Sequence, residues 1–291
     1  MDVIVHGGAG SRPEFPETRQ GGLDDAAQIG SQEATPVAAV LASIGALEAS
    51  SRFNAGVGGA VQSDGVVRTD AGIMSNDGAI GAACSMEGVR DAITVANLIR
   101  EESPHILLSG EHALRLAEAF EIETNADLMS DRSRDRWTAS PFSGTDSREQ
   151  LALVNERFAE TDGGTVGAVA SDGTEIVAGT STGGRWFALA GRVGDVPQVG
   201  SGFYAGPAGG ISTTGNGEQI ARMTLAREAY RLLEVGEPSH LAATAAIQQF
   251  GNSVSGTAGL IALTPDGTMG AATNADMMQT ARAADGQLIE E

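Results

Sequence analysis

The chain has 291 residues, enough to bury a substantial core in one or two domains. It carries 38 acidic residues against 18 basic ones, all arginine, for a formal charge of −20. That balance excludes nucleic acid and anionic membranes as partners, and no apolar run approaches the ~20 residues of a membrane span. Strong acidity without lysine reads as salt adaptation, because self-repulsion is screened at high ionic strength. Cys84 is the only cysteine and cannot form an intrachain disulfide. Residues 1–6 lack the basic and apolar regions of a leader, so a soluble cytoplasmic protein is expected.

In chain order, residues 3–5 read as a buried strand running into Gly7-Gly8-Ala9-Gly10. A strand followed by glycines invites a nucleotide-binding reading. Pro13 takes the third glycine's place, however, and residues 14–19 open no helix on the loop. Thr35-Pro36 reads as the N-cap and first-turn proline of a helix over 37–48. Val37, Val40, Leu41, Ile44 and Leu47 form its core stripe. A loop over 50–57 leads to Gly58-Gly59. Residues 66–68 and 79–85 read as strands, with Asp70-Ala71-Gly72 as a turn between them, and 91–100 and 111–120 as amphipathic helices.

From 121 to 164 the composition turns polar, as in the run Asp131-Arg132-Ser133-Arg134-Asp135-Arg136. Only 151–158 is helical in pattern, so the stretch reads as a mobile, solvated linker. Strands over 165–170 and 176–178 follow, joined by the hairpin signal Asp172-Gly173. Residues 198–204 and 210–213 read as strands, 218–234 and 238–250 as helices, and 259–263 and 270–273 as final strands. Each strand run is apolar enough to be covered on both faces. Two stacked sheets between helical layers, an αββα arrangement of the mixed α/β class, fit this order.

The chemistry concentrates at Gly163-Gly164-Thr165. Thr165 opens a nearly uncharged strand directly after the polar stretch, and Thr180-Ser181-Thr182-Gly183-Gly184 ends the partner strand. A threonine hydroxyl is a poor nucleophile without a base. No histidine is near it in sequence, the four being His6, His105, His112 and His240. One base needs no second side chain, the α-amino group that Thr165 acquires if the Gly164–Thr165 bond is cut. Such a group titrates near about 7.7–8.0 and suits general-base work. The plain alternative is that Thr165 is an ordinary strand residue.

Four linked motifs resemble the plant-type L-asparaginase / isoaspartyl peptidase family. They are His6-Gly7-Gly8-Ala9-Gly10 with Phe53-Asn54-Ala55-Gly56, then GTVGAVA with TSTGG, then Gly191-Arg192-Val193-Gly194-Asp195, and Ser212-Thr213-Thr214-Gly215-Asn216-Gly217-Glu218. The resemblance spans nearly the whole chain. It implies the sandwich of the N-terminal nucleophile hydrolases, self-cleaved into residues 1–164 and 165–291, and self-association as a dimer of such pairs. It also implies hydrolysis of L-asparagine or β-aspartyl peptides, with no cofactor for catalysis.

Position by position, the resemblance makes Thr165 the nucleophile, Thr182 the hydroxyl that orients it, and Thr214 with the Gly215 N–H the oxyanion hole. Arg192 and Asp195 grip the substrate's α-carboxylate and α-ammonium. Gly215 and Gly217 add backbone contacts, and Asn54 supports the nucleophile. The main-chain carbonyls of Leu47, Glu48, Ser50, Phe53, Ala55 and Val57 correspond to a sodium-binding loop. Val196, Phe203 and Asn216 depart from the family pattern beside predicted substrate contacts. Alternatives are a glycosylasparaginase-like amidase or threonine protease on the same scaffold, and a non-catalytic nucleotide-binding protein. Gly164 stands where glycosylasparaginases carry aspartate, which argues against the first.

Overall fold

The computed structural model describes residues 1–13, 15–157 and 164–289. Strand β1 (Asp2–Gly10) does not stop at the glycines but runs through them. Its antiparallel neighbours remove the nucleotide-loop reading, which requires a parallel βαβ unit. Helix α1 (Pro16–Ser31) follows, where the sequence pattern shows none. Its buried face, Leu23, Ala26, Ala27 and Gly30, is made mostly of small residues and carries little apolar signal. Gly30 lies so close to α2 (Pro36–Glu48) that a Cβ there would stand 2.0 Å from Ser43 Oγ. As expected, Thr35 caps α2, its hydroxyl accepting from Ala38 N at 3.2 Å.

Next come β2 (Arg68–Ser75), β3 (Ile80–Glu87), α3 (Ala92–Glu102), β4 (Leu107–Ser109) and α4 (Gly110–Ala119). Asp70 is therefore not in a turn. It sits inside β2, buried, because the true turn between the strands lies at 76–79.

The polar stretch is corrected as well. It forms α5 (Asp131–Thr138) and α6 (Ser147–Arg157), and Leu128, Ser133 and Phe142 are buried. Phe142 stacks on Phe187 with ring centroids 5.2 Å apart. Ser130 caps α5 by accepting from Ser133 N at 3.2 Å, a local signal hidden among the charges. Residue 158 of the expected helix, like Gly163, lies outside the described residues.

The second half contains β5 (Val166–Ser171), β6 (Ile176–Thr182), β7 (Phe203–Gly206), β8 (Gly209–Gly215), α7 (Gly217–Met223), α8 (Leu225–Glu234) and α9 (Ser239–Ser253). It ends in β9 (Ala258–Leu263), β10 (Met269–Thr273), β11 (Met277–Ala284) and β12 (Gln287–Leu288). The single helix expected over 218–234 is broken at Thr224, whose φ of +46° divides α7 from α8. Of residues 198–202, Val199 makes a single bridge to Phe203 and 200–202 form a turn, so none belongs to β7.

An eight-stranded sheet runs β12-β11-β1-β5-β6-β2-β3-β4, and a four-stranded sheet runs β10-β9-β8-β7. Helices α1 to α4 cover the outer face of the larger sheet, and α8 and α9 cover the smaller one. The order is αββα, as expected. Ile4, Val169, Ile176, Phe203, Ile261 and Leu263 pack between the sheets. Close approach there depends on glycine: a Cβ at Gly72 would stand 2.1 Å from the Phe203 ring. Among the described residues no helix is long and apolar enough to cross a membrane.

Candidate active site

β5 and β6 pair antiparallel with Val166 opposite Ser181, which brings the start of one strand beside the end of the other. Thr165 and Thr182 thus meet at one end of two central strands, both buried. The carbonyl oxygen of Gly164, the residue before Thr165, accepts from Thr182 Oγ1 at 2.5 Å and from Asn54 Nδ2 at 2.9 Å. Asn54 is fixed for this task. Its amide also donates to Gly184 O at 2.6 Å, and its Oδ1 accepts from Ala60 N at 2.7 Å. The Thr182 hydroxyl accepts in turn from Gly184 N at 3.0 Å. Two donors therefore converge on one peptide carbonyl.

On the other side, the register between β1 and β11 slips between His6 and Ala9. Gly8, at φ +107°, is thereby pressed against the residue that leads into β5. A Cβ on it would lie 3.4 Å from both Thr165 N and Thr165 O. Ala9 N donates to Thr214 Oγ1 at 3.3 Å, which leaves the Thr214 hydroxyl proton available to another acceptor. Gly215 follows at φ +132°, where a side chain would strike Thr257 O.

His6, remote in sequence, stands opposite Gly167, two residues beyond Thr165, with Nε2 2.9 Å from Ser212 Oγ. Burial pushes its imidazole down to about 3, against an opposing pull from the Thr165 main chain. At neutral pH it is uncharged and too weak a base to hold a proton. The fold therefore brings a histidine close to Thr165 that the sequence places far from it, but in its neutral form.

Across a narrow cleft from Thr165 lie Arg192, Asp195, Gly215 and Gly217. Arg192 Nε donates to Glu218 Oε1 at 2.8 Å, and Arg185 lies 3.7 Å from the other Glu218 oxygen. Gly217 is required here because a Cβ would meet Asp195 Oδ1 at 2.6 Å and Arg192 Nη2 at 2.8 Å. Asp195 is buried and its Oδ2 has no hydrogen-bond partner among the described residues. Burial pushes this carboxyl up to about 6, although the Arg192 charge pulls it down. Such an orphaned carboxylate is suited to an incoming ammonium.

Two groups here escaped the sequence reading. Glu218, to which the motif by itself assigns no role, pairs with both Arg192 and Arg185. Asp70, dismissed as a turn residue, accepts from Ser85 N at 2.7 Å beneath the Arg192 segment. Burial raises it to about 7, with Arg192 opposing. Only the fold reveals either.

The loop after α2 folds back on itself. The carbonyls of Leu47, Glu48 and Ser50 accept from the backbone N–H groups of Ser50, Val57 and Phe53 at 3.2, 2.9 and 3.2 Å. Gly56 and Gly58, both at positive φ, pack against the carbonyls of Glu48 and Phe53. Among the described residues no group of three or more His, Cys, Asp or Glu could hold a metal ion, so a cation here would rely on carbonyl oxygens.

A family model described as asparaginase matches residues 1–290. The plant-type L-asparaginase of Thermococcus kodakarensis is 35% identical over 299 residues, covering 98% of this chain and 96% of its own. The isoaspartyl peptidase/L-asparaginase of Bos taurus is 35% identical over 298 residues, covering 98% and 94%. The plant-type L-asparaginase of Pyrobaculum calidifontis is 37% identical over 241 residues, covering 80% and 79%.

Proposed function

Because the chain belongs to the asparaginase family, we propose that it is a self-processing hydrolase of L-asparagine and β-aspartyl peptides with Thr165 as its N-terminal nucleophile. The observation that carries this reading is the Gly164 carbonyl held by Thr182 Oγ1 and Asn54 Nδ2. Attack of Thr165 Oγ on the Gly164 carbon places negative charge on that oxygen, where fixed donors lower the barrier most. The C–N bond breaks as the ester forms, water hydrolyses the ester, and Thr165 is left with a free α-amine.

In the second reaction that amine accepts the hydroxyl proton while Oγ attacks the substrate's side-chain amide carbon. The Thr214 hydroxyl and the Gly215 N–H receive the new oxyanion. Ammonia or an amino acid leaves with the proton held by the amine, and water releases aspartate. Arg192 and Asp195 hold the α-carboxylate and α-ammonium, and Glu218 fixes the guanidinium through Nε.

A sodium ion in the 47–57 loop belongs to the same reading and rests on the family resemblance; main-chain carbonyls suit a hard cation, those of Leu47, Glu48 and Ser50 having a second lone pair besides the one that accepts a backbone N–H. Its role is structural: it would brace the loop that presents Asn54. Self-association of the processed pairs, cytoplasmic localisation and salt adaptation complete the reading, the last supported by the charge of −20 without lysine. Intact mass spectrometry during incubation tests the cleavage, and release of aspartate and ammonia from asparagine tests the hydrolysis. A chain uncut after prolonged incubation in high salt would overturn both roles of Thr165.

A further inference from the structure

A second cavity, of about 190 Å³, meets the catalytic cleft at Gly164 and is lined by Arg12, Arg19, Arg52, Arg132 and Trp186. Four of the 18 basic residues of a strongly acidic protein thus face one small space. None of the four forms an ion pair with a carboxylate among the described residues, whereas Arg68, Arg90, Arg100, Arg115, Arg134, Arg192, Arg227 and Arg231 all do.

Arg19 and Arg132 are positioned by neutral partners. Arg19 donates to Gly7 O and to Gln279 Oε1 at 3.1 Å, with its guanidinium 4.9 Å from the centre of the Phe53 ring. Arg132 stands over Trp186 at 5.7 Å. Burial, and after it the charge of Arg132, pushes Arg19 down to about 10. The positive charges feel one another without a counter-ion between them.

We propose that this cavity is the leaving-group subsite of the enzyme and binds the free carboxylate of the amino acid expelled from a β-aspartyl dipeptide. This rests on the hydrolase reading above. With the aspartyl α-carboxylate and α-ammonium at Arg192 and Asp195, the reacting carbonyl lies at Thr165. The leaving nitrogen must then point out of the cleft, and an arginine-lined space adjoins it at Gly164. Attack forms the Oγ–C bond, and the C–N bond breaks as the nitrogen takes the proton from the Thr165 amine. The carboxylate on the expelled amino acid then sits among guanidiniums that pair it bidentately. Free asparagine expels ammonia and gains nothing from this subsite, so the cavity favours dipeptides that end in a carboxylate.

The test uses mature enzyme, its cleavage verified by intact mass, at constant ionic strength. β-Aspartyl-leucine is compared with its C-terminal amide in the wild type, Arg52→Gln, Arg132→Gln and the double variant; both residues are exposed, and an unchanged Tm verifies that the fold is kept. The expected result is a KM at least about tenfold lower for the free acid in the wild type, with similar kcat. In the double variant that ratio falls to about two or less. An equal KM for acid and amide in the wild type, or a ratio unchanged in the double variant, overturns the subsite. Asparagine separates the two failures. Its hydrolysis without any preference for the acid sinks only the subsite, while inertness toward asparagine and both dipeptides sinks the hydrolase reading with it.

Discussion

The Thr182 hydroxyl stands 2.5 Å from the carbonyl oxygen of Gly164, the peptide oxygen next to the proposed nucleophile. With Asn54 Nδ2 at 2.9 Å it makes a pair of donors whose geometry precedes any substrate. Removing one such donor costs about 10²–10³ in rate when the oxygen becomes charged in the transition state. Asn54→Ala and Thr182→Ala are therefore expected to slow the Gly164–Thr165 cut by about that factor, and Thr165→Ala to abolish it. Time courses by intact mass check this; cutting at the wild-type rate in Asn54→Ala would remove the amide from the reaction.

Among the described residues Arg192 is held by Glu218 at one edge, through Nε. Arg192→Lys keeps the charge but loses the planar fork. The KM for asparagine should rise by roughly tenfold or more, equivalent to about 1.4 kcal/mol of binding, while self-cleavage proceeds. Steady-state kinetics on fully cleaved protein reads the split. Unchanged kinetics would reduce Arg192 to a structural partner of Glu218.

Asp195 gives a pH dependence of defined sign. Its carboxyl is raised to about 6 by burial, so the charged form that attracts an ammonium is present above that value and lost as pH falls through it. Between pH 7 and pH 5 the KM for asparagine should rise about tenfold. The kcat follows a different group, the Thr165 amine, and should fall below about pH 8. Asp195→Asn should show a KM that is high and flat across the range. A wild-type KM constant from pH 7 to pH 5 would contradict the ammonium role.

The charge of −20 without lysine predicts salt dependence. The screening length falls from about 10 Å at 0.1 M salt to about 3 Å at 1 M, which should relieve most of the self-repulsion. Tm and activity of the mature enzyme should rise from dilute buffer to molar KCl or NaCl. Equal stabilisation by both salts assigns the effect to screening, and an effect of sodium alone assigns it to the carbonyl loop. A Tm that is flat or falling with both salts would refute salt adaptation.

Contact between the sheets predicts a stability effect far from the chemistry. Gly72→Ala would place a Cβ 2.1 Å from the ring of Phe203, which is fully buried. Overpacking of this kind costs about 1–3 kcal/mol. Thermal melts should show a lower Tm with catalysis per folded molecule retained. An unchanged Tm would mean that the Phe203 ring can move aside.

What the sequence determined by itself was whatever a few neighbouring residues decide. Thr35-Pro36 specified the start of α2 and Asp172-Gly173 the hairpin between β5 and β6, while Thr165, Thr182, Arg192 and Asp195, singled out through the family resemblance, line one cleft in the structure. Elements whose signal depends on burial were not legible. α1 buries small residues against α2, and β11 is only half buried, so neither shows a strong apolar period. Thr224, which splits the expected long helix, takes a left-handed φ that its residue type does not announce. Tertiary structure alone decided the electrostatics. Asp70 and Glu218 gain their roles from strand register and helix placement, and His6 is silenced by desolvation that no local pattern reports. The two donors on Gly164 come from residues 110 and 18 positions away, and only the closing of the chain brings them to one oxygen.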